Sequence, residues 1–279
     1  MLGLTAKIHI KLDTGMHRIG FACTEESADT VCEILKLPHL EVEGLFTHFA
    51  TSAMAEKEYV YYQYRNYLQF MKFLKQRGVD IPLKHISNTG IILDTPEMHQ
   101  DMVRFGSMVF GCFSSMDVHT ERVSLKDAFS LRAEVSFVKE LDAGAGIGYD
   151  LTYVTDKPRR IATLPLGYAD IGIRKLRNNG YVLIHGQRAP IVGGVCMDQM
   201  TVDATGIDVK MGDVATLIGA DGDDRITIQE VAERIGTDGY EVVISANARL
   251  PRRYWKNGKL CDQLDINMVL ANYYTTKED

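Results

Sequence analysis

Strand-like and helix-like patterns alternate through the first part of the chain, and this alternation constrains the fold more than any other feature. Residues 7–12 alternate charged or polar side chains with aliphatic ones, which is the two-residue period of a β-strand with two different faces. We predict strands at 7–12, 40–49, 83–87 and 102–113, and helices at 24–37, 56–77 and 91–93. This alternation is typical of parallel βα units. Because a (β/α)8 barrel needs about 250 residues and eight strands, the segment predicts either an open α/β sheet or a barrel whose first half is absent.

From about residue 124 the pattern changes to short β-type runs punctuated by Gly and Asp. We predict strands within 130–141, 160–166, 181–185, 189–195, 201–203 and 214–218. One helix is expected at 228–235, because Thr227 and Glu230 have the spacing of a capping box and Gly236 follows as a stop. The sequence therefore predicts an α/β domain over residues 1–121 and a β-strand-rich domain over residues 122–279.

Composition excludes several classes of function. The formal net charge is −6 and no Lys/Arg stripe with interleaved aromatic residues occurs, which argues against a nucleic-acid partner. The five cysteines are scattered and odd in number, so we expect free thiols in a reducing compartment, the cytoplasm. No apolar run approaches the length of a membrane span, and the chain opens on a strand pattern instead of a signal peptide; a membrane tether in a region further upstream stays open. No metal-ligand spacing, GxGxxG or P-loop is present.

The first predicted strand delivers three charged side chains to one rim of the sheet. Lys11 and Asp13 close the strand, and Arg18 follows after the tight turn at Asp13-Thr14-Gly15. In barrels and doubly wound folds, the rim at the carboxyl ends of the strands is where the chemistry takes place. An ordinary strand with a solvated end explains the same spacing.

Two further segments could bind phosphate. Asn88, Thr89 and Gly90 open a helical turn after a strand, where backbone N–H groups and a Thr hydroxyl would form a cradle. A simple helix N-cap is the alternative. Arg104, followed by Gly106 and Ser107, forms a second rim of the same kind.

Tyr149 is the candidate general base of the second domain, since it lies between Gly148 and Asp150 in a glycine-rich turn. A tyrosine titrates near pH ~10 unless a cation or a hydrogen bond lowers its pKa. His48 and Arg104, at two strand ends, are candidates for that neighbour, although spacing alone does not pair them with Tyr149. A structural turn tyrosine is the alternative.

The segment KLDTGMHRIGF (11–21) resembles the KxDTGMxRxG segment of the alanine racemases, a family of pyridoxal-phosphate-dependent amino-acid racemases. Further motifs follow in the family's order: FTHFA (46–50), HISNTG (85–90), RFGSMVFG (104–111), IGYDLTY (147–153), PLGYAD (165–170), VCMDQ (195–199) and ARLPR (248–252). The resemblance covers residues from about 7 to 254.

The resemblance implies a pyridoxal-phosphate-binding barrel followed by a β-domain, working as a homodimer with the active site shared between subunits. Tyr149 would be the proton acceptor that handles the L-enantiomer, and His48 and Arg104 would orient and tune it. Arg104 would also donate a hydrogen bond to the pyridine nitrogen of the cofactor. The implied cofactor-binding residues are His85, Asn88, Thr89, Arg104, Gly106 and Ser107.

The substrate, alanine or serine, would be bound by Arg18, Tyr168, Met197 and Asp198. Met197 and Tyr149 would reach in from the partner subunit. Lys11 matches a position that is a carbamylated lysine in some relatives, where it helps to place Arg18.

Two departures from the family pattern change this expectation. The lysine that binds the cofactor as a Schiff base lies in a segment upstream of KLDTG in the family, and neither Lys7 nor Lys11 matches it. We therefore expect a C-terminal portion of a racemase that lacks the N-terminal barrel half, keeps about the last four barrel strands, and is inactive alone. The alternative is a non-catalytic dimerisation or binding module derived from a racemase.

The second departure concerns the substrate. The family usually has a Tyr just before the closing R-x-P-R, whereas this chain has Ser-Ala-Asn-Ala at 245–248. A larger and more polar pocket makes serine an alternative to alanine, since a pocket rejects one extra hydroxyl only weakly. Another pyridoxal-barrel enzyme such as a decarboxylase is a third possibility, which the GYAD and VCMDQ motifs argue against.

Overall fold

The computed structural model describes residues 3–265, which fold into two compact units. The first unit comprises residues 3–109 and 113–125, and the second comprises residues 110–112 and 126–265. The domain boundary between residues 121 and 122 stays a prediction.

The first unit is an α/β sheet with helices. Its strands are β1 (Ala6–Asp13), β2 (Phe21–Ala22), β3 (Leu40–Phe46) and β4 (Leu83–His85). Its helices are α1 (Glu25–Ile34), α2 (Glu58–Gln76) and α3 (Thr89–Asp94). All strand pairs are parallel and the order is β2-β1-β3-β4. The parallel βα arrangement predicted from the alternation is therefore present.

Strand register places two functional candidates, Lys11 and His85, on either side of Phe46. Lys11 of β1 pairs with Phe46 of β3, and Phe46 pairs in turn with His85 of β4. Phe46 and His85 are the last residues of their strands and Lys11 lies two residues before the end of β1, so the register places their side chains toward one rim of the sheet.

Helix α2 covers the sheet with one buried stripe. Val60, Gln63, Tyr67, Phe70 and Leu74 are buried and recur at spacings of three and four residues, the period of one helix face. Each buried large apolar side chain contributes roughly 1.5–3 kcal/mol to folding. The stripe is apolar except at one position, which holds a glutamine.

The predicted strand at 102–113 is wrong. Val103 forms a single parallel bridge with Ser87, and Ser107–Phe110 forms a 3-10 turn. The N–H of Gly106 donates to a hydroxyl of α3 instead of to a neighbouring strand, which takes this segment out of the sheet. The fourth strand of the described sheet is β2, which the sequence patterns did not predict.

The second unit is rich in antiparallel strands. They are β5 (Leu131–Glu134), β6 (Phe137–Leu141), β7 (Gly146–Ile147), β8 (Tyr153–Val154), β9 (Arg159–Leu164), β10 (Tyr181–Ile184), β11 (Gln187–Pro190), β12 (Met200–Asp203), β13 (Val214–Asp221), β14 (Asp224–Ile226), β15 (Arg252–Lys256) and β16 (Lys259–Leu264). The main sheet has the order β11-β10-β13-β14 with β5 on β13, and a second sheet has the order β12-β9-β6. The β-rich character predicted for this part of the chain is confirmed.

Two helices, α4 (Ile228–Ile235) and α5 (Gly239–Ile244), complete the second unit. Helix α4 has the predicted bounds: the Thr227 hydroxyl accepts from the Glu230 N–H at 3.0 Å, and Gly236 ends the helix at φ 72°. The Glu230 carboxylate does not complete the capping box, because it binds Arg188 and Arg234 instead. No helix among residues 3–265 is long and apolar enough to cross a membrane.

Candidate active site

Arg104 is the centre of the polar rim in the first unit. Its Nη1 donates to the carbonyl oxygen of His85 at 2.7 Å and to His85 Nδ1 at 2.8 Å. Its Nη2 donates to the carbonyl oxygen of Thr47 at 2.8 Å and to His48 Nδ1 at 3.2 Å. The Arg104 backbone N–H donates to the carbonyl oxygen of Ser87 at 2.9 Å. The guanidinium plane is therefore held between the ends of β3 and β4.

These contacts assign the tautomer of His85 and bear on that of His48. A guanidinium has only donors, so Nδ1 of His48 and of His85 both accept, and neutral His85 carries its proton on Nε2. The Nε2 of His48 lies 3.5 Å from Asn88 Nδ2, which is also a donor. Burial, followed by the nearby charge of Arg104, lowers the pKa of both His48 and His85 to about 4. Both rings are consequently neutral at pH 7.

A chain of hydrogen bonds runs outward from Arg104. His85 Nε2 donates to His9 Nδ1 at 2.7 Å, which leaves His9 Nε2 as the donor that faces Glu43 Oε2 at 3.5 Å. Glu43 is also bound by Lys7 at 3.0 Å. The carboxylate at the outer end therefore favours the tautomer of His9, and through it the tautomer of His85, that Arg104 requires.

Lys11 lies on the same rim, beside an aromatic ring. Phe46 stacks on His85 with ring centroids 4.8 Å apart, and both Lys11 Nζ and the Arg104 guanidinium lie within 5.6 Å of the Phe46 centroid. Desolvation by burial lowers the pKa of Lys11, and the cations Arg18 and Arg104 lower it further, against the opposing effect of Asp13. At a given pH, a larger fraction of Lys11 is therefore in the neutral amine form than of an exposed lysine.

The loop after β1 carries Arg18 at its exposed end. Asp13 Oδ1 accepts the N–H groups of Gly15 and His17, at 3.1 and 2.9 Å, which closes the turn. A side chain at Gly20 would place its Cβ 2.8 Å from backbone atoms of β1, so only glycine fits there at φ 128°. The loop backbone is fixed while the guanidinium of Arg18 faces solvent.

The proposed phosphate cradle has the expected residues in one place. Asn88 is the N-cap of α3, and its Oδ1 accepts from the Ile91 N–H at 3.3 Å. Thr89 Oγ1 accepts from the Gly106 N–H at 3.2 Å, and Thr89 and Ser107 are both buried. The N-cap and the cradle are therefore compatible, and hydroxyl and amide donors of this kind suit a phosphate monoester.

Tyr149 lies in the second unit and is strongly exposed, at 75% of its surface. It begins the 3-10 turn Tyr149–Leu151, in which Asp150 and Leu151 have φ values of 60° and 47°. Non-glycine residues rarely adopt this region, so two of them in succession mark a constrained turn that presents the phenol outward.

The other predicted site residues of the second unit, Tyr168, Met197 and Asp198, lie on two loops that contact each other. The Tyr168 N–H donates to the carbonyl oxygen of Cys196 and the Ala169 N–H to that of Met197, both at 3.0 Å. A Cβ on Gly167 would overlap the Met197 carbonyl oxygen, so the two backbones approach too closely for any other residue. This contact fixes Tyr168 and Met197 in relation to each other.

Arg249 holds the same two loops together through their side chains. Its Nε donates to Asp170 Oδ1 at 2.7 Å, and its Nη2 donates to Asp198 Oδ1 at 2.6 Å. The second oxygen of Asp170 accepts from the Gly167 N–H at 2.8 Å. The Asp198 carboxylate is therefore paired with Arg249 within the unit. The family resemblance implies a role in substrate binding for the same residue.

Comparison with known proteins decides the family. The model of the alanine racemase N-terminal domain matches residues 2–113, and the model of the C-terminal domain matches residues 128–254. The chain belongs to the alanine racemase family. Both family domains are present, so the expectations of a missing N-terminal half, of a partial barrel and of an inactive chain are not supported. Those expectations rest on a count of four strands and on the absence of a match to the cofactor lysine of the family, whereas the family models match both domains.

Individual alanine racemases are similar to this chain over nearly its whole length. The alanine racemase of Methanococcus maripaludis is 45% identical over 254 residues, covering 91% of this chain and 68% of the relative. That of Clostridium perfringens is 46% identical over 260 residues, covering 93% and 67%. Among solved structures, the alanine racemase of Clostridium difficile gives a TM-score of 0.89 at 39% identity, covering 95% of this chain and 68% of the other. The Bacillus anthracis alanine racemase with bound L-Ala-P gives 0.88 at 36% identity, with the same coverage.

Several residues that organise this site were not predicted from the sequence. Arg249 lies inside the ARLPR motif, so the motif was a usable signal for it. His9 and Glu43 are polar positions of alternating strands, and nothing local distinguishes them from solvated strand residues. Gln63 lies among the buried apolar residues of α2, and no local pattern distinguishes it. Among residues 3–265 no group of three His, Cys, Asp or Glu side chains is arranged to hold a metal ion.

Proposed function

We propose that this protein interconverts L- and D-alanine with pyridoxal 5'-phosphate as cofactor, by proton transfer on the two faces of the substrate. The observation that carries the proposal is the Arg104 cluster, in which a permanently charged guanidinium is held by two neutral histidines next to buried hydroxyl donors. The family membership supports the same reaction.

The residues of the rim fit this cofactor. Thr89, Ser107 and the backbone around Gly106 would bind the phosphate, with Asn88 and His85 completing the walls. Arg104 would donate to the pyridine nitrogen and, since a guanidinium keeps its proton, would leave that nitrogen unprotonated. The cofactor, when bound, withdraws electrons from the substrate so that the proton on its α-carbon becomes acidic. Arg104 would limit this withdrawal, which restrains side reactions other than proton transfer.

Tyr149 is our candidate for the base that takes the proton from L-alanine. Its exposed phenol has the access that proton transfer requires, and neutral His48 and cationic Arg104 would tune it from the partner's rim. We further propose a homodimer in which the partner subunit supplies Tyr149 and Met197, as the family resemblance implies.

The substrate carboxylate is an anion, and Arg18 is the exposed guanidinium that would bind it, with Lys11 helping to place it. Tyr168, Met197 and Asp198 would line the small pocket for the side chain. We propose alanine as the substrate, with serine as the competitor to be measured because it differs by one hydroxyl.

We also propose that neither Lys7 nor Lys11 binds the cofactor covalently. Lys7 is held by Glu41 and Glu43 at 3.6 and 3.0 Å, and the Lys11 ammonium donates to the Leu12 carbonyl oxygen at 2.5 Å. Borohydride reduction of the protein with the cofactor, followed by peptide mapping, should leave both peptides unmodified. A stoichiometric adduct on either lysine would contradict this assignment.

The decisive experiment tests the base that acts on L-alanine. Tyr149→Phe should lower racemisation by about 10²–10⁴-fold. Exchange of the α-proton of L-alanine with solvent should fall with it, because the L-specific base is missing. Tyr254→Phe, at another exposed tyrosine, should leave both rates unchanged. Undiminished turnover of Tyr149→Phe in both directions would refute the role of Tyr149.

Subunit mixing tests the shared site. Neither Tyr149→Phe nor Arg104→Gln should be active alone. Mixed dimers would contain one site with both changes and one with neither, so random mixing should restore about a quarter of the wild-type activity. No recovery in a mixture that forms mixed dimers would contradict the shared site. A protein that binds the cofactor but never racemises any amino acid would favour the non-catalytic module.

A further inference from the structure

Gln63 is a buried amide within the apolar stripe of α2. It is fully buried, between Val60 and Tyr67 on the face that packs against the sheet. Burying an amide is unfavourable unless its hydrogen bonds are satisfied. A glutamine at this position therefore needs specific partners.

Each donor of the Gln63 amide has a partner, and so does its oxygen. Oε1 accepts from the Ala50 N–H at 2.8 Å, while Nε2 donates to the His48 carbonyl oxygen at 3.0 Å and to Thr14 Oγ1 at 3.1 Å. The reverse orientation of the amide would place a donor against the Ala50 N–H and an acceptor against a carbonyl oxygen. The side chain has one allowed orientation, set by backbone groups of fixed polarity.

The contact with Thr14 continues into a directed chain. Thr47 Oγ1 donates to the Leu12 carbonyl oxygen at 3.0 Å, so it accepts the Thr14 hydroxyl proton at 2.8 Å. Thr14 in turn accepts from Gln63. Gln63 is thus connected to the loop after β1, which carries Arg18, and also to the end of β3, which carries His48.

We propose that Gln63 is a positioning residue that fixes His48 in relation to the loop of Arg18; the kinetic part of this inference rests on the function proposed above. Two other polar residues of α2 contact the loop after β1 but not the segment of His48. Tyr59 donates to the Gly15 carbonyl oxygen and Asn66 to that of Thr14, each at 2.8 Å, and these contacts hold only the loop. Of the three side chains, Gln63 is the one that joins the loop to the residue beside Arg104.

Three variants and one control test the proposal. Gln63→Leu removes all three hydrogen bonds at similar volume, and Thr14→Val removes the connection while leaving the His48 contact. Asn66→Ala loosens the loop alone. Phe70→Leu weakens the same buried stripe without touching either loop, and controls for a general loss of stability.

In the cofactor-loaded enzyme we expect a split between kinetic constants. Gln63→Leu should lower kcat and raise KM for alanine, with kcat/KM falling about 100-fold, the order of effect that a displacement of about 1 Å produces. Thr14→Val should act in the same direction. Asn66→Ala should raise KM and leave kcat within about twofold. Equal kinetic constants for Gln63→Leu and Phe70→Leu would overturn the proposal.

Histidine NMR of the cofactor-free chain gives a readout that does not depend on the proposed function. The charged groups that face His48 are Arg104, Arg18 and Lys11, and burial beside them holds its pKa at about 4. In Gln63→Leu and in Thr14→Val the pKa of His48 should move toward its ordinary value of about 6.5. In Phe70→Leu it should stay. An unchanged His48 pKa in both variants would overturn the proposal, whereas the expected pKa changes together with no racemase activity in the unsubstituted protein would overturn only the proposed function.

Discussion

Mild acid should destabilise the first unit, because buried His85 and half-buried His48 are both held as neutral rings. Burial, and then the charge of Arg104, hold the pKa of each at about 4, against an ordinary value of 6.5. In the unfolded chain both rings bind a proton as the pH falls through 6.5, while in the folded chain they stay neutral. The stabilisation is therefore complete above pH 6.5 and is lost as the pH falls from 6.5 toward 4.

The magnitude follows from the same shift. One pKa unit corresponds to about 1.4 kcal/mol. Between pH 7 and pH 5, each histidine accounts for a loss of about 2 kcal/mol in the free energy of unfolding, and solvent at the rim reduces this. We expect a total loss of about 2–4 kcal/mol. Ordinary carboxylates titrate below about pH 5, so this window reports mainly on histidines.

Urea denaturation at pH 7, 6 and 5, followed by circular dichroism, measures the effect. His85→Gln should remove about half of the pH dependence, and His48→Gln should do the same. Phe70→Leu, which removes no titratable group, should lower the free energy of unfolding by a similar amount at each pH. A free energy of unfolding that is constant from pH 7 to 5, or a dependence that both histidine variants leave intact, would refute the reasoning.

Three further outcomes are expected in the loaded enzyme and the free chain. Arg249→Gln should raise KM for alanine about tenfold, because the loop of Asp170 loses its contact with Arg249. An unchanged KM would show that the contacts of Arg249 with Asp170 and Asp198 do not affect substrate binding. Gly167→Ala should lower the free energy of unfolding by about 1–3 kcal/mol, since its Cβ meets the Met197 carbonyl oxygen, and a thermal melt equal to that of the unsubstituted protein would contradict this. Thr89→Val should weaken cofactor binding about 10–100-fold through loss of one hydrogen bond to a charged group, measured by equilibrium titration; equal affinity would place the phosphate elsewhere.

Local sequence signals predicted much of the fold. Helix α4 was predicted with its observed bounds because a cap and a terminal glycine are signals contained in a few neighbouring residues. The strand at 102–113 was predicted wrongly because its apolar residues match a strand, while the contact that removes it from the sheet comes from Thr89. That contact depends on tertiary structure, which a pattern of neighbours does not contain.

The candidate site was likewise predictable from the sequence only in part. Residues at the carboxyl ends of parallel strands, such as Lys11 and His85, can be placed on one rim from strand order alone. The tautomer of His85 follows only from its distance to Arg104, and the role of Gln63 follows only from which loops its amide reaches. Motif resemblance assigned roles to Tyr149 and Arg18, and those roles remain proposals that kinetics must test.

The central claim is that this protein racemises alanine with pyridoxal phosphate. The most direct measurement incubates the purified protein with the cofactor and L-alanine in deuterium oxide, then follows the α-proton by NMR and the enantiomers by chiral chromatography. We expect deuterium to replace the α-proton and the product to approach equal amounts of L- and D-alanine, with no reaction when the cofactor is omitted. Neither exchange nor D-alanine, from a folded protein that binds the cofactor, would contradict the account.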